Sequence, residues 1–190
     1  MFKNKRILVT GGTGSFGRQI VKRLLDYAPE EIRILSRDEK KQDDMRYHYK
    51  ETSNLRFIIG DVRDKSALRK AMRNIEIVFH AAALKQVPSS EYNPVEAVKT
   101  NILGAQNVVD IALEENVERV IAISTDKAVE PVNVMGMSKA IQERIITSAN
   151  LFKDGKKTVF ACVRYGNVLG SRGSVVPLFR KLIESNKPLT

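Results

Sequence analysis

Short runs of consecutive apolar residues alternate along the chain with longer stretches in which apolar positions recur every three or four residues. Arg6-Ile7-Leu8-Val9-Thr10, Ile32 to Leu35, Leu55 to Ile59, Ile75 to Phe79, Val120 to Ile123 and Val159 to Val163 have the length of strands. They are apolar at successive positions, and a strand apolar on both sides is one covered on both sides, as in a parallel sheet held between helices. The intervening stretches Gln19 to Tyr27, a charged segment after Asp38, Ser66 to Met72, Pro94 through Ala112 and Ser138 to Asn150 read as helices. Strand–helix alternation of this kind predicts an α/β fold, a doubly wound parallel sheet with helices on both faces. Residues 1–190 read as one such domain. Residues 168–190 read as the beginning of a further part that is truncated, with a helix at Pro177 to Glu184 and the start of another element at Asn186 to Thr190.

The composition, 43% hydrophobic and 28% charged over 190 residues, fits one soluble core. No apolar run approaches the roughly 20 residues that span a bilayer. Met1 to Arg6 leads directly into a strand pattern. The expectation is therefore a cytoplasmic protein without a membrane partner. Cys162 stands alone, which excludes an internal disulfide and a Cys-based metal centre; it reads as a small core residue, and no metal is expected. The net charge of +10 is spread over helical stretches and mixed with acids, as in Asp38-Glu39-Lys40-Lys41-Gln42-Asp43-Asp44. No nucleic-acid motif accompanies it, so nucleic acid is not expected as a partner. Ligands that carry pyrophosphate give a milder reason for positive potential.

Thr10-Gly11-Gly12-Thr13-Gly14-Ser15-Phe16-Gly17 follows the first strand and opens a helix, the context that gives a glycine triplet meaning. Gly11 permits the tight turn, Gly14 lets backbone approach a pyrophosphate, and Gly17 allows close helix packing; Thr13, Ser15 and Phe16 complete the loop. The helix N-terminus offers free N–H groups and a favourable dipole to phosphate. Ser36-Arg37 closes the second strand where an NAD-specific protein places an acid on the ribose, and an arginine there suits the 2′-phosphate of NADP. Asp38 follows it, so NAD stays open as the less favoured cofactor. Asp61 and Val62 stand where the adenine would lie, and Ala81, Ala82 and Ala83 make a small-residue floor beneath the cofactor. His80 reads as packing and His48 as surface.

Ser124-Thr125-Asp126-Lys127-Ala128 follows the fifth strand. Met135-Gly136-Met137-Ser138-Lys139 comes next, and then Arg164-Tyr165-Gly166-Asn167-Val168. These pieces, in this order, resemble the extended short-chain dehydrogenase/reductases of Rossmann type. That superfamily carries a Ser/Thr after this strand, a Tyr-x-x-x-Lys pair on the next helix and a nicotinamide-contacting segment after the sixth strand. Met135 stands where the tyrosine is expected. The segments SRDEKKQDD (36–44), GDVRD (60–64), HAAALKQVPS (80–89), PVEAVKTNILG (94–104), STDKA (124–128) and RYGNVLGSRGSVVP (164–177) narrow the likeness. Together they resemble the inverting UDP-N-acetylglucosamine 4,6-dehydratases of capsule and polysaccharide biosynthesis, the CapE-like branch, which is similar in carrying Met-x-x-x-Lys.

The resemblance implies that NADP⁺ takes hydride from sugar carbon 4 and returns it to carbon 6. Lys127 would remove the carbon 5 proton, protonated Asp126 would donate to the leaving carbon 6 hydroxyl, and reprotonation from the opposite face would invert carbon 5. Lys139 would hold the nicotinamide ribose, Thr125 would contact the sugar near carbon 4, and Lys127 is the best candidate to deprotonate the carbon 4 hydroxyl in the absence of a phenol. Tyr165, Asn167 and Val168 would line the nicotinamide. Lys85, Val87, Asn167 and Arg172 would approach the UDP-sugar, the phosphate role of Lys85 and of Arg172-Gly173 competing with plain loop positions. The alternative for Asp126-Lys127 is a surface ion pair, and for Lys139 a surface lysine. A full-length version is expected to be a homo-oligomer. Rival functions are a nucleotide-sugar epimerase or reductase that leaves carbon 6 intact, and a non-catalytic NADP-binding protein.

Overall fold

Successive residues of a strand face opposite ways, and in Arg6–Thr10 both ways lead into a core. Ile7 and Val9 pack on one side with Val21, Leu24 and Met45, whereas Leu8 packs on the other with Leu68, Val108 and Ile111. The computed structural model describes residues 1–168 and 175–189. Six parallel strands, β1 (Arg6–Thr10), β2 (Glu31–Ser36), β3 (Leu55–Ile59), β4 (Ile77–His80), β5 (Arg119–Thr125) and β6 (Val159–Tyr165), form one sheet. Their order is β3-β2-β1-β4-β5-β6.

Helices α1 (Ser15–Leu25) and α2 (Glu39–His48) bury their apolar sides against one face. Helix α3 (Lys65–Met72) covers the other face with α6 (Gly104–Glu114) and α7 (Val134–Ser148). Short helices α4 (Val87–Tyr92) and α5 (Pro94–Ala97) lie between β4 and α6. Helix α8 (Val175–Glu184) buries none of its residues. The fold is the doubly wound α/β sheet that the apolar pattern predicts.

The strand order reverses direction between β1 and β4, so the loops that leave these neighbours part and open a crevice at the carboxyl ends of the strands. Thr10 and His80 are register partners at that switch point, and Thr10 pairs on its other side with Leu35. Among the described residues, every segment read from sequence as a site ends up at this edge of the sheet or on the helices beside it.

Several boundaries differ from the sequence expectation, among them β5 and β6, which run on to Thr125 and Tyr165 past the apolar runs that end at Ile123 and Val163. Helix α1 starts at Ser15, straight out of the glycine turn. Ile75 belongs to the turn after α3, where its N–H bonds Met72 O, so the fourth strand begins at Ile77. The helix read as Pro94 to Ala112 is interrupted by a π-helical turn at Val98–Leu103. Within that turn Asn101 is fully buried; its amide group accepts from Leu84 N and donates to Leu84 O and to Ser138 Oγ. Helix α7 starts four residues before the expected Ser138, because Asn133 caps it by accepting from Gly136 N at 2.8 Å. That earlier start puts Met135 in the first turn of the helix that carries Lys139.

Candidate functional site

The glycine turn is shaped by what surrounds it. Gly11 has φ +67°, and a Cβ there would lie 2.7–2.8 Å from the backbone of Ala81 and Ala82, so β1 and the loop after β4 touch main chain to main chain. A Cβ at Gly17 would collide with the backbone of Gly11 and Gly12, which is how α1 comes to press against the turn. Gly14 caps α1 without a side chain, and the first turn of the helix, Ser15 to Gly17, lines the crevice. Thr13 and Ser36 share a 2.8 Å hydrogen bond that ties the turn to the end of β2. Phe16 stacks on Tyr165 across the groove, with ring centroids 5.9 Å apart and planes 14° from parallel.

The crevice has a volume of about 1240 Å³. Its walls bring together Gly11, Thr13, Gly14, Ser15, Phe16 and Gly17 from the turn; Ser36, Arg37, Asp61 and Val62 from the ends of β2 and β3; and Ala81, Ala82, Ala83, Lys85 and Val87 after β4. Thr125, Lys127, Met135, Lys139, Tyr165, Asn167 and Val168 close the other side. Asp126 stands just outside, with its carboxylate towards Gly166. Arg172 and Gly173 lie outside the described residues.

At the β2–β3 end the groups are already organised. Arg37 is half exposed and its guanidinium pairs with Asp61 at 3.3 Å, while Arg63 holds the same carboxylate at 2.7 Å. Burial would raise the Asp61 pKa, but Arg63 and Arg37 outweigh it and hold the carboxyl below its ordinary value. Asp38 caps α2 by accepting from Lys41 N and pairs with Lys41 Nζ. Lys41 also lines the crevice, as do Gln86 and Thr100, and none of these was singled out from sequence. Lys41 sits inside a charged run that reads as a solvated face; the Asp38-x-x-Lys41 cap spacing was the signal that places it.

At the β5 end Thr125 finishes the strand. Its hydroxyl donates to Asp126 Oδ1 at 2.9 Å and accepts from Lys127 N at 3.3 Å. Lys127 Nζ lies 3.2 Å from both Asp126 Oδ1 and Asn167 Oδ1. The hydrogen bonds from Thr125 and Lys127 hold Asp126 below the usual carboxylate range. Asp126 is therefore a carboxylate in this arrangement, whereas the role read for it from sequence needs the protonated acid; exposure and two donors explain the difference.

Lys139 is 5% exposed and donates to Ile123 O and Gln142 Oε1, both at 2.5 Å. Burial brings its pKa down to about 8. Met135, 4% exposed, presents a thioether that cannot exchange a proton. His80 is fully buried, shares a 2.8 Å hydrogen bond with Thr10 Oγ through Nδ1, and is pushed down to about 3 by burial, which keeps it neutral. His48 is exposed. Cys162 packs partly buried against the core.

The sequence pattern of the family described as "Polysaccharide biosynthesis protein" matches residues 7–190. The chain belongs to that family. Among relatives, an uncharacterized membrane protein of Methanocaldococcus jannaschii is 53% identical over 100% of this chain and 56% of its own length. A UDP-N-acetylglucosamine 4,6-dehydratase (inverting) of Campylobacter jejuni is 53% identical over 96% of this chain and 55% of its own. A UDP-glucose 4-epimerase of Rickettsia bellii is 52% identical over 100% and 57%. The solved structure of Pen from Bacillus thuringiensis superposes with a TM-score of 0.96 at 44% identity, over 98% of this chain and 58% of that one. The chain thus spans little more than half the length of the family members it matches. Among the described residues no helix is long and apolar enough to cross a membrane.

Proposed function

We propose that the chain is the cofactor-binding part of a nucleotide-sugar 4,6-dehydratase that acts on UDP-N-acetylglucosamine, uses NADP and inverts carbon 5. On this reading residues 168–190 begin the sugar-binding part. The glycine turn and the α1 N-terminus that lines the crevice fit the pyrophosphate of a dinucleotide, and the crevice is large enough for its length. Arg37 and Lys41 give the β2 end two cations for a 2′-phosphate, while Asp38, the acid that would favour NAD, is engaged by its own helix.

One observation carries the dehydratase reading: Lys127 lies between Asp126 and Asn167 at the mouth of the crevice, and Met135 occupies the helix position of the missing phenol. When bound, the cofactor would accept hydride from sugar carbon 4 and return it to carbon 6. Thr125 would orient the sugar. Lys127, as the neutral amine, would take the proton from carbon 5, which the carbon 4 ketone acidifies. As the sugar enters and water is excluded, the Lys127 ammonium would hand its proton to Asp126, leaving the neutral amine for carbon 5 and the acid that protonates the carbon 6 oxygen, which leaves as water; return of hydride to carbon 6 is then completed by protonation of carbon 5 from the opposite face. The 52% identical epimerase relative favours a second reading, in which carbon 6 keeps its hydroxyl.

The test is mass spectrometry of UDP-N-acetylglucosamine incubated with NADP⁺ and this chain joined to a complete sugar-binding part. The dehydratase gives a product lighter by one water, with carbon 5 carrying solvent deuterium in D₂O, and Lys127→Ala removes both signals. A product of unchanged mass and altered carbon 4 stereochemistry is the epimerase.

A further inference from the structure

Behind the crevice wall, one turn further along α7 from Lys139, stands Glu143, 8% exposed. Residues four apart on a helix share a face, so Glu143 and Lys139 both lie on the buried side of α7, close enough to feel each other's charge without an ion pair between them. Glu143 is held from the other side by the Arg164 guanidinium, which donates to its two oxygens at 2.8 and 2.6 Å and reaches in from β6 with half of its own surface still in solvent. These hydrogen bonds keep Glu143 ionised, and the buried Ser124 hydroxyl, short of a full hydrogen bond, favours the same state.

Burial disfavours the charged Lys139, while Cys162 and then Glu143 stand on the side that favours it, and of these two only Glu143 carries a charge where Lys139 ionises. From β6, the Cys162 thiol is pushed up to about 11 by burial and is neutral at physiological pH. From β4, His80 is a neutral imidazole. The direct hydrogen-bond partners of Lys139 are a peptide carbonyl and a side-chain amide. The electrostatic environment of this lysine is thus set by Glu143 and by the cation that neutralises Glu143.

We propose that Glu143 is a positioning residue, the counter-charge that keeps Lys139 protonated in the crevice, and that Arg164 tempers it from the end of β6. Because Arg164 is followed directly by Tyr165, Gly166 and Asn167, the same pair links the charge of Lys139 to the seating of the segment that closes the crevice. What that charge does for a bound ribose rests on the cofactor reading above; the coupling between the three side chains does not.

The experiment therefore uses no ligand. The whole chain is labelled with [ε-¹³C]lysine, the Lys139 signal is assigned by its disappearance in Lys139→Arg, and its titration is followed by NMR. Removing the buried negative charge in Glu143→Gln lowers the Lys139 midpoint by about one pH unit or more. Glu143→Asp restores most of it. Arg164→Gln removes the tempering cation at a half-exposed position and raises the midpoint. A purely structural pair would move Lys139 the same way when either partner is lost, so opposite signs support the proposal. A midpoint unmoved by Glu143→Gln, or shifts of one sign in both variants, overturns it. Separate calorimetry with NADP⁺ on wild type decides the cofactor reading, so either idea can fail while the other stands.

Discussion

Lys139 ionises at 10.5 in an unfolded chain and at about 8 in the fold. Between those values the unfolded chain holds the proton and the folded chain does not, so stability rises with pH across that window. Below about pH 8 both states hold it, and the fold carries the whole penalty of the buried ammonium, about 3 kcal/mol. Lys139→Met should therefore be more stable than wild type in urea at pH 7, by up to that amount, and should lose the alkaline rise. At the other end of the crevice, Arg37→Ala should weaken NADP⁺ by roughly 10- to 100-fold, the worth of a charge-assisted hydrogen bond, and leave NAD⁺ nearly unchanged in calorimetry. Equal effects on both cofactors would remove Arg37 from the 2′-phosphate. The residues legible in the sequence were those whose place is set by immediate neighbours: a glycine where only φ > 0 fits, or an Asp-Lys dipeptide at the end of a strand. Glu143 and Arg164, 21 positions apart, and Asn101 and Ser138, 37 apart, meet through the fold alone. Asp126 was placed correctly at the β5 end, but its charge depends on donors whose aim no spacing reveals.

Among elements, the π-helical turn is the one that periodicity missed. Apolar residues recur through Pro94 to Ala112 as in an uninterrupted helix, and the turn shows itself only in what Asn101 reaches. By bonding both backbone groups of Leu84 and the hydroxyl of Ser138, Asn101 clamps the loop after β4 to α7, two walls of the crevice. Asn101→Leu leaves the two part-buried backbone groups of Leu84 without that partner, each worth about 1–3 kcal/mol, while the Ser138 hydroxyl keeps its bond to Met135 O, so the denaturation midpoint should fall. It should also speed hydrogen exchange at Leu84 relative to the amides of β1, measured by NMR under conditions where the variant is folded. An unchanged Leu84 amide would mean that the loop is held by something else. Strands, by contrast, were legible as elements, because a parallel sheet covered on both faces leaves its apolar run unbroken, whereas their ends were not: β5 and β6 continue past their apolar runs to Thr125 and Tyr165.

For the whole molecule, the crevice is assembled from turns and strand ends that lie within the chain, whereas the chain spans just over half of each relative compared. Residues 1–190 alone should bind NADP⁺ with a 1:1 stoichiometry in calorimetry and release product from UDP-N-acetylglucosamine far more slowly than the same residues joined to a sugar-binding part. Equal turnover would show that the sugar nucleotide sits within the sheet and its loops. Acidification carries its own signature: His80 takes a proton at 6.5 when unfolded and at about 3 when folded. The stability that its neutral form contributes is complete above pH 6.5 and drains away as the pH falls towards 3. Between pH 6.5 and 5 the loss should be about 2 kcal/mol in urea titrations, above the range where carboxylates protonate.

Among the described residues, half-exposed apolar side chains gather on the outer side of β6, at Val159 and Val163, and along α8, at Val175, Leu178 and Ile183. Their consequence is colloidal. At neutral pH the net charge of +10 keeps copies apart in dilute buffer, and the repulsion reaches roughly 30 Å at 0.01 M salt but about 10 Å at 0.1 M. Added salt should therefore drive the isolated chain to self-associate, the reverse of what it does to contacts made by ion pairs. Light scattering that grows with salt, and that recedes when Val163 and Ile183 are changed to lysine, would locate the stickiness on these two faces.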